Sequence, residues 1–183
     1  MPWGLKRFQQ SQQTHFITFS CYRRRPLLVP ITAKQTFELA LERVRHSFAL
    51  CIYAYVVMPE HVHLLLNEPA GGVLADAIKS LKQGVSRRLI GDGEHFWQKR
   101  YYDFNVRNQR QFAEKLRYSH RNPVKRGLCG RPEDWEWSSF LQWATGCEGR
   151  VEIECEWTGR KRERAAVRLC ASVELPHSSQ HRA

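Results

Sequence analysis

Apolar and polar positions along this chain fall into blocks with two different periods. THFITFSCY, residues 14–22, alternates in part and is rich in β-branched and aromatic side chains, so it reads as a strand, and the basic turn RRRP follows it. From Thr32, a side chain suited to an N-cap, Phe37, Leu41, Val44 and Phe48 recur at spacings of three and four and predict an amphipathic helix. Two apolar runs, LCIYAYVVM and HVHLLL, are parted by Pro59 and Glu60 and read as antiparallel strands with a tight connection. Helical spacing returns over 71–90 through Leu74, Ile78, Leu81, Val85 and Leu89, with Gly84 as a weak point. FWQKRYYDFNVRN reads as an extended segment or strand. NQRQFAEKLRYSHRNP reads as a further helix, carrying Phe112 and Leu116 and limited by Pro123. The simplest packing of strand, helix, strand, strand, helix, strand, helix is α+β. It is a ferredoxin-like β-α-β-β-α-β core, an antiparallel sheet with helices on one face, plus one additional helix.

Beyond RPEDWEWSSF the pattern changes. In RVEIECEW, Val151, Ile153, Cys155 and Trp157 alternate with glutamates, which predicts a strand, and a charged stretch and polar end follow. The expected division is a domain over 1–147 and a charged extension over 148–183, either one strand and a helix or a flexible tail. A chain of 183 residues, 42% hydrophobic, supports one ordinary core. Neither a long apolar run nor a signal-peptide pattern is present, so a soluble, cytoplasmic protein with no membrane partner is expected. The six cysteines form no C-x-x-C pair and are expected to be reduced thiols.

Two stretches carry chemistry. In the strand HVHLLL, His61 and His63 are two residues apart and share a face, which makes half of a divalent-metal site. The same pair is equally consistent with imidazoles that face solvent or satisfy a hydrogen bond. In YSHRNP, Tyr118 and Asn122 are four apart on a helix, a phenol beside an amide oxygen that a hard cation accepts. Taken alone, Tyr118 also continues an apolar stripe, and Asn before Pro also ends helices.

Together, MPEHVH, FWQKRYYDFNVRN, YSHRNPVKRGL and DWEWSS, in this order over about residues 10–145, resemble the HUH single-tyrosine transposases, specifically the REP-associated tyrosine transposases. The resemblance implies that His61 and His63 bind the metal with Asn122 as third ligand, and that Tyr118 is the nucleophile. It also implies cleavage of single-stranded DNA near imperfect hairpins through a 5′-phosphotyrosine, leaving a 3′-OH. The cofactor is expected to be Mg²⁺ or Mn²⁺, since two imidazoles and an amide suit either. A free tyrosine, with a pKa near ~10, is little ionised at neutral pH. The metal and a cation such as Lys115 or Lys125 would raise that fraction. No G-x-x-x-x-G-K loop occurs, and a phosphotyrosine needs no nucleotide triphosphate.

Charge agrees. The chain has a net charge of +11, and from Lys79 to Arg131 it carries fourteen Lys and Arg against four Asp and Glu. Phosphate contacts are expected from Arg23, Arg24, Arg25, Lys79, Lys82, Arg87, Arg88, Lys99, Arg100, Arg107, Lys125 and Arg126, and base stacking from Trp97, Tyr101 and Tyr102. Tyr101 and Tyr102 are rival nucleophiles, but neither has a ligand-type residue four positions on. The partner is then single-stranded DNA with REP-like hairpins, bound by a monomer or homodimer. A non-catalytic binding module for structured nucleic acid is the alternative, with the histidines vestigial.

Overall fold

A computed structural model describes residues 13–90 and 95–173, with side chains to residue 166. Residues 1–12, part of the segment in which no signal peptide was read, lie outside the described residues, as do the Cys170 side chain and the polar end. Four strands, β1 (Thr14–Ser20), β2 (Ile52–Val57), β3 (His61–Asn67) and β4 (Tyr102–Val106), form one sheet in the order β2-β3-β1-β4. Every neighbouring pair is antiparallel. The sheet is the α+β arrangement expected from the sequence.

Helices α1 (Ile31–Ser47) and α2 (Leu74–Leu89) pack together on one face. There Phe37, Leu41, Val44, Leu74, Ile78, Leu81 and Val85 meet Ile17, Phe19, Val62, Leu64 and Leu66 of the sheet in the main core. Two features of this layer differ from the sequence reading. Pro30, not Thr32, holds the N-cap position of α1, and no side chain caps it; the fixed φ of proline sets the entry into the helix. Gly84 lies inside α2 without interrupting it, and the guanidinium of Arg43 from α1 passes over it: a Cβ would meet its Nη2 at 2.5 Å, the far end of a side chain that can move aside.

Helix α3 (Gln109–Lys125) covers the opposite face, over Phe16, Ala54, Leu65 and Val106, with Phe112 and Leu116 packed against them. Asn108 caps it by accepting from Gln111 N. The helix runs two residues past Pro123 instead of stopping at it. Proline there removes only one backbone donor close to the helix end, where few bonds remain to be lost.

The outer edge of β2 explains a second correction. Ser139 N donates to Tyr55 O at 3.0 Å, Val57 N donates to Trp137 O at 2.9 Å, and Trp135 and Trp143 donate from their indoles to Val57 O and Tyr53 O. DWEWSSF, followed by the short helix α4 (Phe140–Thr145), therefore occupies the edge that a further strand would need. Only one bond, Glu154 N to Ile52 O at 2.7 Å, is left for RVEIECEW. That segment is accordingly not a strand. Its alternation is nonetheless real, since Val151, Ile153 and Cys155 are buried in the main core, and helix α5 (Glu156–Val173) follows. Cys21, Cys51, Cys129, Cys147 and Cys155 are free thiols. No helix among the described residues is long and apolar enough to cross a membrane.

Candidate active site

The parity of β3 divides its side chains. Val62, Leu64 and Leu66 enter the main core, while His61, His63 and Leu65 point to the face covered by α3. In register, His63 stands between Val56 of β2 and Thr18 of β1, and Tyr102 of β4 stands on the far side of Thr18. Phe16 stacks on the His63 ring at 5.3 Å, so the imidazole is held between an aromatic floor and the helix above.

The last two turns of α3 bury Ser119, His120, Asn122 and Pro123, a polar inner face unlike the apolar Phe112 and Leu116 earlier in the helix. Asn122 Nδ2 lies 2.9 Å from His63 Nε2, and His61 Nε2 lies 3.1 Å from the same atom. Tyr118, one turn before Asn122, is 42% exposed, with its ring edge-on to His63 at 5.2 Å. The four residues read from the sequence as a site are thus brought together within one chain. His120 hydrogen-bonds Ser139 at 2.8 Å and so ties this end of α3 to the segment that covers β2.

The outer nitrogens of both rings are directed as well. His63 Nδ1 is 2.7 Å from Thr18 Oγ1, and His61 Nδ1 faces Glu60 Oε1 at 3.2 Å without hydrogen-bond geometry. Burial pushes the His63 imidazole down to about 3, with the charges of His61 and Lys115 adding to the effect. His61 is lowered too, burial outweighing the pull of the Glu60 carboxylate. Neutral rings whose Nδ1 protons face oxygen leave two Nε2 lone pairs pointing at one another, an arrangement that favours a cation between them. At 3.1 Å apart the two nitrogens can both face one ion. A half-turn of the Asn122 amide replaces its nitrogen with an oxygen donor. The donor set therefore fits a divalent cation. Among the described residues no cluster of three His, Cys, Asp or Glu side chains does so, the third group here being an amide.

The cations expected to contact nucleic acid divide by environment. Arg23, Arg24 and Arg25, Lys79, Arg87 and Arg88, Lys99 and Arg100, Arg107, Lys125 and Arg126 are all exposed. Arg23 and Arg24 have φ of 52° and 55°, a left-handed turn that non-glycine residues adopt at a cost. Lys82 is half-buried and donates to the carbonyls of Gln98 and Lys99. Tyr102 is exposed, while Tyr101 packs against the core. Trp97 is a correction: it is 7% exposed, wedged against Phe19, Phe37 and Phe96, with its indole donating to Lys82 O, and it offers no face to a base. Lys125 Nζ lies 5.8 Å from the centre of the Tyr118 ring, whereas Lys115 sits over Phe16 and Phe104.

Two polar groups escaped the sequence reading. Glu60 is buried beside His61, and its only signal was its position inside MPEHVH. His15 is fully buried between Asp103 at 2.7 Å and Glu68 at 2.8 Å. Burial alone would lower His15, but hydrogen bonds and charge from Asp103 and Glu68 raise it. It ties β1 and β4 to the residue that follows β3, on the sheet face opposite the histidine pair.

Comparisons with known proteins show the family and the fold. The family described as Transposase IS200 like matches residues 8–122. A REP-associated tyrosine transposase of Escherichia coli (strain K12) is 28% identical over 137 residues, covering 74% of this chain and 81% of that protein. A solved structure of a REP-associated tyrosine transposase bound to a REP hairpin aligns with a TM-score of 0.69 at 25% identity, covering 82% of this chain and 91% of that one.

Proposed function

The chain belongs to the IS200-like transposase family, and from that premise we propose that it cuts and rejoins single-stranded DNA beside REP-type hairpins, with Tyr118 as nucleophile. The observation that carries this reading is the convergence of Tyr118, Asn122, His61 and His63, with the ring of Tyr118 5.2 Å from that of His63. His61, His63 and Asn122 would hold Mg²⁺ or Mn²⁺, which when bound supplies charge to polarise the scissile phosphate.

The chain's own groups account for the remaining steps. Tyr118 Oη attacks phosphorus as its proton passes to solvent. The new bond is O–P, the bond that breaks is P–O3′, and the departing 3′ oxygen takes up a proton. Resealing is the reverse, a 3′-OH displacing the tyrosine. Lys125 Nζ, 5.8 Å from the centre of the Tyr118 ring, suits a phosphate brought to that phenol. Exposed Tyr102, on the same sheet face as His63, suits a base stacked near the cut, and the exposed arginines suit phosphates. The hairpin bound by the structural relative supports a hairpin as substrate.

The test incubates the protein with labelled single-stranded REP-type hairpins and divalent metal, then separates products under denaturing conditions. A protein–DNA adduct that needs metal and disappears in Tyr118→Phe is expected. Tight hairpin binding with no adduct in Mg²⁺ or Mn²⁺ would favour a non-catalytic binding module instead.

A further inference from the structure

The tight connection between β2 and β3 puts a carboxylate where the two halves of the site meet. Glu60 is 8% exposed. Its backbone is pinned, with Cys21 N donating to Glu60 O at 2.8 Å and Met58 N donating to His61 O at 2.9 Å. Its Oε1 lies 3.2 Å from His61 Nδ1 on one side and 2.8 Å from Arg126 Nη2 on the other, with Arg24 Nη2 at 3.8 Å. Arg126 is the C-cap residue of α3, and its N–H returns to the carbonyls of Asn122 and Val124. One carboxylate therefore touches the histidine strand and the end of the helix that carries Asn122 and Tyr118.

We propose that Glu60 is a positioning residue that couples the two halves of the site. Its carboxylate is the acceptor for the Nδ1–H of His61, so that Nε2 turns toward His63, and it anchors Arg126, so that the end of the tyrosine helix is fixed over the strand. The proposal rests on the reading of the site given under the proposed function. Two physical points carry it. His61 Nδ1 and Glu60 Oε1 are both buried, neither meets hydrogen-bond geometry with any partner, and they face each other at 3.2 Å, so a small rotation pairs them; an acceptor on the outer nitrogen is what fixes the tautomer and direction of a ligating imidazole. A carboxylate this buried would be costly facing a neutral ring alone, and the two guanidiniums offset that cost. Arg126 thus has a structural task beyond any phosphate contact.

The experiment compares wild type, Glu60→Gln, Arg126→Met and Arg126→Lys in two assays: Mn²⁺ affinity by calorimetry without DNA, and the rate of the Tyr118 adduct at saturating Mn²⁺ and DNA. Glu60→Gln keeps the side-chain shape, and Arg126 is half-exposed, so thermal melts should stay close to wild type. Glu60→Gln keeps an acceptor oxygen but loses the charge that holds it between His61 and the two arginines, and is expected to weaken Mn²⁺ binding about 10-fold, the low end of the scale for altering the partner of a metal-binding histidine. Arg126→Met is expected to leave Mn²⁺ affinity within about threefold and to slow the adduct about tenfold or more, because small misplacements of a nucleophile are costly. Arg126→Lys should restore part of that rate. Wild-type Mn²⁺ affinity in Glu60→Gln would overturn the role at His61. A defect in Arg126→Met that vanishes at saturating DNA would overturn the anchoring role and leave a DNA contact. Wild type that neither binds Mn²⁺ nor forms an adduct would overturn the functional reading itself, and this proposal with it.

Discussion

The two faces of the sheet are built from alternate residues of the same strands and have opposite characters. Toward α1 and α2, Ile17, Phe19, Val62, Leu64 and Leu66 sit in a closed apolar core. Toward α3 the apolar cluster is small, Phe16, Ala54, Leu65 and Val106, and gives way within one strand repeat to His61, His63 and Thr18 under a polar helix end. The difference teaches that this fold separates stability from chemistry by strand parity. Neighbouring residues of β3 should therefore respond to substitution in different assays.

The sharpest break in that comparison is His63→Ala. Mn²⁺ uptake and the Tyr118 adduct should fall below detection while the far-UV spectrum stays native, as calorimetry and denaturing gels would report. Leu64→Ala, one residue on, should cost about 2–5 kcal/mol in urea unfolding and leave Mn²⁺ affinity unchanged while the protein is folded. Equal damage to metal binding from both would remove the division by face. Ile153→Ala belongs with the core face although it lies outside the strands. It should cost about 2 kcal/mol, the low end for such truncations, because a segment held to the edge by one backbone bond can partly collapse into the gap.

His15 is a polar intrusion with the same parity as Ile17 and Phe19. Its pKa is raised in the folded state, so the stability it contributes is fully present below its unfolded value of about 6.5 and is lost as pH rises through the folded value. The stability gap between wild type and His15→Gln should therefore be widest in mild acid and narrow as pH rises, and a gap that widened would reverse the sign. The smallest expected effect is at the surface. Arg100→Ala should reduce the salt slope of single-strand binding by about 0.7, the amount for one lost phosphate contact, and leave the adduct rate at saturation unchanged.

How much of this was legible in the sequence follows from the range of the interactions involved. The strand period put His61 and His63 on one face, and the helix period put Tyr118 a turn from Asn122; both are local rules. Val151, Ile153 and Cys155 obeyed the strand period in their burial, while Trp157, the fourth member of the alternation, is exposed at the start of α5; whether an alternating segment joins a ladder depends on a free edge, and Trp137 to Ser139 had taken it. Trp97 lay in a basic, aromatic stretch that looked suited to bases, and only the packing of Phe19 and Phe37 around it shows a core residue. The His15, Asp103 and Glu68 cluster joins three separate stretches, so no local pattern announces it. Glu60 was visible as a letter in MPEHVH, but its role depends on an arginine from the far end of another element.

The most direct test of the central claim is mass spectrometry of the trapped protein–DNA complex after trypsin and nuclease digestion. The nucleotide should be found on YSHR, residues 118–121, which trypsin releases between Arg117 and Arg121. A nucleotide on YYDFNVR, residues 101–107, or on no tyrosine in either Mg²⁺ or Mn²⁺, would contradict the assignment of Tyr118 as nucleophile.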